Sequence, residues 1–159
     1  MSQKKKEFKN NINIRNKKAR FNYEILDKYI AGIQLAGTEI KAIREGKASL
    51  ADSFCEFNDR GELFVVNMYI NEYSHGTHYN HLPKRTRKLL LHKKELKKLR
   101  REVEKNGMTI VPLRVFITDK GWAKMEIALA RGRKNYDKRQ VLKERDIKRQ
   151  LDQVRKNYR

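Results

Sequence analysis

Val111-Pro112-Leu113-Arg114-Val115-Phe116-Ile117 runs into Thr118-Asp119-Lys120-Gly121, and Trp122-Ala123-Lys124-Met125-Glu126-Ile127-Ala128-Leu129 runs out of it. Val111, Leu113, Val115 and Ile117 alternate with their neighbours, and Ala123, Met125, Ile127 and Leu129 resume the alternation. Side chains two apart on a strand share a face, so this spacing predicts an antiparallel hairpin with one apolar face. Such a face needs a core to pack on, and the rest of the chain has to supply it.

Outward from the hairpin, Leu63-Phe64-Val65-Val66-Asn67-Met68-Tyr69-Ile70 is β-branched and aromatic, which predicts a strand. Weaker strand signals lie at Phe21–Leu26, Tyr29–Leu35 and Ser49–Phe57. Gly37 and Gly46 bracket a helix over Thr38–Glu45, with Thr38 as its cap. A second helix is predicted from about Lys93 to Lys105, ended by Asn106-Gly107, with an apolar stripe of Leu89, Leu96, Leu99 and Val103. Many short strands with few helices predict a mainly β fold. A small OB-like barrel fits, as do other small barrels. Three parts are expected: a flexible basic arm over 1–20, the barrel over 21–130, and a tail over 131–159. In the tail, twelve basic residues face four acidic ones, a net of +8. Ile147, Leu151, Val154 and Tyr158 form a thin helical stripe there. So thin a stripe cannot hold a helix alone, so the tail is expected to be disordered when free and helical when bound.

The chain's 159 residues carry 39 Lys+Arg against 19 Asp+Glu, a net charge of +20. That excess points to a polyanion, with nucleic acid the usual one. No stretch pairs a bulky apolar face with a basic one, and none is long enough to span a bilayer, so a membrane partner is not expected. The charged N-terminus has no apolar run behind it, unlike a secretory signal. The single cysteine, Cys55, sits in an apolar run and reads as structural, compatible with a reducing cytoplasm.

The densest basic stretch runs from Lys84 to Arg101, where eleven basic side chains, His92 included, face only Glu95. Arg85, Arg87 and Lys88 within it read as phosphate contacts. Tyr73, Tyr79, Tyr136 and Tyr158 are candidates for stacking on bases, while Tyr69 reads as core. His75, His78 and His81 are three apart but sit in a loop, where spacing fixes no metal geometry. No phosphate-binding glycine loop, carboxylate pair or nucleophile–base pair stands out, so neither catalysis nor a metal or other cofactor is expected. Glu39 with Asp52 has no spacing that supports an acid–base couple.

Five motifs in order carry a resemblance. They are Asn16-Lys17-Lys18-Ala19-Arg20; Ala31-Gly32-Ile33-Gln34-Leu35-Ala36-Gly37-Thr38-Glu39-Ile40-Lys41-Ala42-Ile43-Arg44; Gly46-Lys47-Ala48-Ser49-Leu50-Ala51-Asp52-Ser53; Arg85-Thr86-Arg87-Lys88-Leu89-Leu90-Leu91; and Ala130-Arg131-Gly132-Arg133-Lys134 leading to Tyr136-Asp137-Lys138-Arg139. Together they resemble the small protein B family, the SsrA-binding proteins. The resemblance implies an OB-like barrel with a basic tail and no enzymatic activity. It implies a cytoplasmic, monomeric protein that binds the tRNA-like part of transfer-messenger RNA and enters the A site of stalled ribosomes. The tail would occupy the empty message channel. The RNA would be held by Asn16, Lys17, Lys18, Arg20, Gly32, Arg85, Arg87, Lys88 and Leu90. The decoding region and channel would be met by Gly132, Arg133, Lys134, Tyr136, Asp137, Lys138, Arg139, Lys143, Arg145, Ile147 and Val154. Two positions depart from the family pattern: Ile30 stands where Glu is common, and Tyr136 where His is frequent.

Overall fold

A computed structural model describes residues 11–76 and 79–157, without the side chains at 135–137 and 157. The elements in order are β1 (Asn13–Arg15), α1 (Ala19–Asn22), β2 (Tyr23–Ile33), α2 (Gly37–Arg44), β3 (Ala48–Ser49), β4 (Phe54–Phe57), β5 (Leu63–Val66), β6 (Tyr69–Ile70), β7 (Arg87–Leu90), α3 (Lys93–Asn106), β8 (Thr109–Ile117), β9 (Ala123–Gly132) and α4 (Asn135–Asn157). The fold is thus mainly β with short helices and a C-terminal helix. One sheet runs β1-β8-β4-β5-β7-β2-β9, and β9 also pairs with β8, so the hydrogen bonding of six strands closes on itself. β3 and β6 form a separate two-stranded sheet.

The predicted hairpin is β8–β9, with Gly121 at φ +85 in its turn. Its register shifts between Pro112 and Arg114. Such a bulge exchanges the two faces of a strand. Beyond it, Val115 and Ile117 join Met125, Ile127 and Leu129 in the main core. Before it, Val111 and Leu113 turn to the other face, with Ala128 and Ala130. The hairpin therefore buries apolar side chains on both faces rather than one. The second cluster exists to receive α1, whose Ala19 packs on it.

The expected strand over 63–70 is two strands. Asn67, at φ +63, breaks it and sends Tyr69–Ile70 to pair with β3. Tyr69 is not core, being 39 % exposed. The two signals at 21–26 and 29–35 merge into β2, bulged between Ile25 and Asp27, while Phe21 belongs to α1. The signal at 49–57 divides into β3 and β4, with Asp52 at φ +58 between them.

Ala36, not Thr38, caps α2; its N–H donates to Glu39 Oε1 at 2.9 Å. α3 ends as predicted, on Gly107 in the left-handed conformation. Its stripe is Leu96, Leu99 and Val103, since Leu89 lies in β7. Of the flexible arm expected over 1–20, residues 13–15 form β1 and residues 19–20 begin α1, while residues 1–10 lie outside the described residues. The tail is one helix, α4. Ile147, Leu151 and Val154 remain exposed on it, so apolar burial does not support its second half.

Candidate nucleic-acid interface

The Asn16-Lys17-Lys18-Ala19-Arg20 motif divides its labour by side chain. Asn16 clamps the chain to the bulge: its backbone N–H donates to Leu113 O at 2.8 Å and its Nδ2 to Pro112 O at 2.9 Å. Ala19 is the anchor beneath, small enough for α1 to lie close over Ala128 and Ala130. Lys17, Lys18 and Arg20 point outward and are exposed. Among the described residues no carboxylate comes within ion-pair reach of them, or of Arg15.

A register row extends this site across the outer face. Arg15 pairs with Arg114, Arg114 with Glu126, and Glu126 with Ile30. Two residues along β2 from Ile30, Gly32 pairs with Leu90 of β7 and Lys124 of β9. A Cβ on Gly32 would lie 3.4 Å from Leu90 Cβ, so the glycine leaves Leu90 room at the surface, where it is 51 % exposed. Arg15, Arg114, Glu126, Ile30, Gly32 and Leu90 therefore share one face of the closed sheet. Glu126 sits directly beside Ile30 and is held by Arg114 at 3.1 Å and Lys28 at 3.9 Å.

The Arg85-Arg87-Lys88 cluster differs from its sequence reading. Arg87 is wholly buried. Its Nε pairs with Glu39 Oε2, and its other nitrogens donate to Met68 O at 2.7 Å and Pro83 O at 3.1 Å. It cannot touch a phosphate while the fold holds. Arg85, 41 % exposed at its side chain, reaches the same carboxylate at 2.5 Å. Lys88 pairs with Glu62 at 2.5 Å. Further along the basic stretch, Lys98 meets Asp27 at 3.5 Å and Arg100 meets Glu104 at 2.9 Å. The anions missing from the local sequence come largely from other elements, so the stretch is much less unbalanced than it reads. Burial pushes the Glu39 carboxyl up, but hydrogen bonds from Arg85, the Ala36 N–H and Arg87 outweigh it and leave it below its ordinary value.

His81 is buried and uses both ring nitrogens inside the fold. Nε2 donates to Ile70 O at 3.0 Å and Nδ1 is hydrogen-bonded with Thr38 Oγ1 at 2.9 Å. A carbonyl can only accept, which places a proton on Nε2. His75 makes an edge contact with the Tyr73 ring, and His78 lies outside the described residues. Tyr79 is 91 % exposed and free to stack, whereas the Tyr136 side chain and Tyr158 lie outside the described residues. Cys55 is buried, and burial pushes its thiol well up, which makes it inert. Among the described residues no helix is long and apolar enough to cross a membrane.

The tail leaves β9 at Gly132. The Arg133 N–H donates to Asn22 O at 2.9 Å, and Lys138 Nζ lies 5.8 Å from the Phe21 ring centre, so the tail begins against α1. Lys134, Arg139, Lys143 and Arg145 are exposed. A cleft of about 520 Å³ opens beside α1, between Arg15, Asn16, Lys17 and Arg20 on one side and Arg114, Glu126 and Arg145 on the other. Sequence reading missed Arg15 and Arg114 as parts of this site. Arg15 adjoins a motif and was within reach of it, but only the strand register places Arg114 there.

The family model for SmpB protein matches residues 13–157. The SsrA-binding protein of Christiangramia forsetii is 63 % identical over 150 residues, covering 94 % of this chain and 95 % of its own. That of Flavobacterium johnsoniae is 58 % identical over 147 residues, covering 92 % of this chain and 97 % of its own. A solved structure of tmRNA-SmpB in the bacterial ribosome superposes with a TM-score of 0.65 at 48 % identity, covering 78 % of this chain and 86 % of that one.

Proposed function

The chain belongs to the SmpB protein family, and from that premise we propose that it binds the tRNA-like domain of transfer-messenger RNA and delivers it to stalled ribosomes. The observation that carries this reading is the outer face. Lys17, Lys18 and Arg20 stand uncommitted around a clamped Asn16, and the adjoining Arg15 shares its sheet face with Gly32 and Leu90. Such a face grips a folded RNA by phosphate contacts and shape, which suits an RNA with few unstacked bases. Leu90 offers an apolar contact to a ribose or base, and Glu126 places a carboxylate beside the position where Ile30 replaces the family's common Glu. Arg85 is accessible at the edge of this surface.

The closed sheet is read as an OB-like barrel, supported by its six-strand cycle of pairing. The tail from Gly132 through Arg133, Lys134, Tyr136, Asp137, Lys138 and Arg139 meets the decoding region. Lys143, Arg145, Ile147 and Val154 follow along the vacant message channel. The tail's helix is conditional: free of RNA it exposes Ile147, Leu151 and Val154, and a channel lined with phosphates stabilises it. The protein acts without catalytic turnover, and its place is the cytoplasm, where ribosomes are. Sequencing the RNA that co-purifies with the chain tests the reading. One dominant RNA with a tRNA-like acceptor end is expected, and a mixed population of ribosomal RNA would point instead to a resident ribosomal protein.

A further inference from the structure

Among the residues lining the cleft beside α1, Arg145 alone comes from the tail helix. Facing it are Arg15, Lys17 and Arg20. Among the described residues, none of these four cations has a carboxylate within ion-pair reach. Glu126 is the cleft's one carboxylate, and it is already held by Arg114 and Lys28. The cleft therefore gathers positive charge from two distant parts of the chain with nothing to balance it.

The geometry of α4 sharpens the point. At about 100° per residue, Lys138 and Arg145 lie two turns apart on one face, and Arg149 and Lys156 continue the line. Ile147, Leu151 and Val154 fall on the opposite side and are more than half exposed. Apolar burial therefore does not hold this part of the helix against the body. The near end is tied by the Arg133 bond to Asn22 and by Lys138 over Phe21. Farther along, the helix meets the body across like charges, which repel unless an anion lies between them.

We propose that this cleft is a phosphate site shared by body and tail: a backbone phosphate of RNA seated on the outer face binds between Arg145 and the Arg15–Lys17–Arg20 group, and in doing so docks α4. The inference rests on the RNA-binding reading above and deepens it. RNA binding and tail placement become one event, because the fourth side of the site is carried by the tail. Guanidinium groups suit the role, since their planar forks match phosphate oxygens two at a time.

The test uses the full chain and transcribed transfer-messenger RNA. A nitroxide on Gln150→Cys, exposed and off the cationic line, reports tail mobility, and buried Cys55 does not compete for label. Adding RNA should immobilise the label in the parent and leave it mobile in Arg145→Glu. The slope of log K against log salt should fall in that variant by about 0.7–0.9. Arg145→Lys should recover most of both. Inorganic phosphate alone at matched ionic strength should leave the label mobile; immobilisation by it would show that the anion need not come with RNA and overturn that source. An Arg145→Glu variant with the parent's slope and the parent's immobilisation would overturn the site itself. Binding by the parent reports on the proposed function, and the difference between parent and variants reports on the cleft.

Discussion

Arg87 Nε donates to Glu39 Oε2 with both side chains fully buried, across 48 residues of sequence. The pair ties the first turn of α2 to β7, and two of the remaining Arg87 nitrogens hold the carbonyls of Met68 and Pro83. An ion pair so placed adds little against an apolar replacement of both partners. Losing one partner strands the other charge in the interior.

Glu39→Gln should therefore destabilise the fold by roughly 3–5 kcal/mol. The pH dependence follows from the sign of the shift. The Glu39 carboxyl lies below its ordinary 4.5 in the folded chain, so its contribution is complete above that value and is lost as pH falls through the depressed one. Urea midpoints measured from about pH 7 down to about pH 3 should fall more steeply in the parent than in the variant. Parallel profiles would show that the Glu39 charge does not stabilise the fold.

His81→Ala should cost stability, although the three-histidine spacing offered only a doubtful metal reading. The change leaves Ile70 O and the Thr38 hydroxyl without their buried partner, at roughly 1–3 kcal/mol per stranded group. His75→Ala, on the surface, should stay within about 0.5 kcal/mol. Thermal melts with and without a chelator decide it: an intact His81→Ala melt, or a parent melt lowered by the chelator, would remove the structural role.

Much of this was legible in the sequence, and what was not has identifiable causes. The hairpin could be read because alternation is a local signal, and α3 because Gly107 ends it visibly. The bulge at Pro112 could not be read, and it turns Val111 and Leu113 away from the core to receive Ala19. Asn67 looked like one polar residue in a strand, whereas its positive φ divides the strand. Charge was the least legible feature. Counting along the chain gave Arg87 and Lys88 no anion, because Glu39 and Glu62 arrive from other elements. The motif around Asn16 was found and Arg15 adjoins it, but Arg114 joins it only through strand register.

Removing the uncommitted cations should weaken RNA binding more than removing a paired one. Lys17→Ala with Arg20→Ala should lower the salt slope of log K by about 0.7–0.9 for each lost phosphate contact. Lys88→Ala, whose ammonium is held by Glu62 at 2.5 Å, should leave the slope unchanged. An equal fall in both variants would add Lys88 to the phosphate contacts despite its pairing with Glu62.

Truncation separates body from tail only if the cut respects β9. That strand runs to Gly132, where Arg131 and Gly132 pair with Glu24 and Tyr23, and the next residue bonds Asn22. A chain ending at Ala130 loses these contacts, at roughly 1 kcal/mol per hydrogen bond. Its failure would say nothing specific about the tail. A chain ending at Lys134 keeps them and should melt close to the parent. It should still bind transfer-messenger RNA, with a slope reduced by the loss of Arg145. It should fail to support tagging on stalled ribosomes, because the cations and apolar stripe meant for the message channel are gone. Tagging at the parental rate by this chain would remove the channel role from the tail. Loss of all RNA binding would instead make the tail the principal RNA site rather than one wall of a shared cleft.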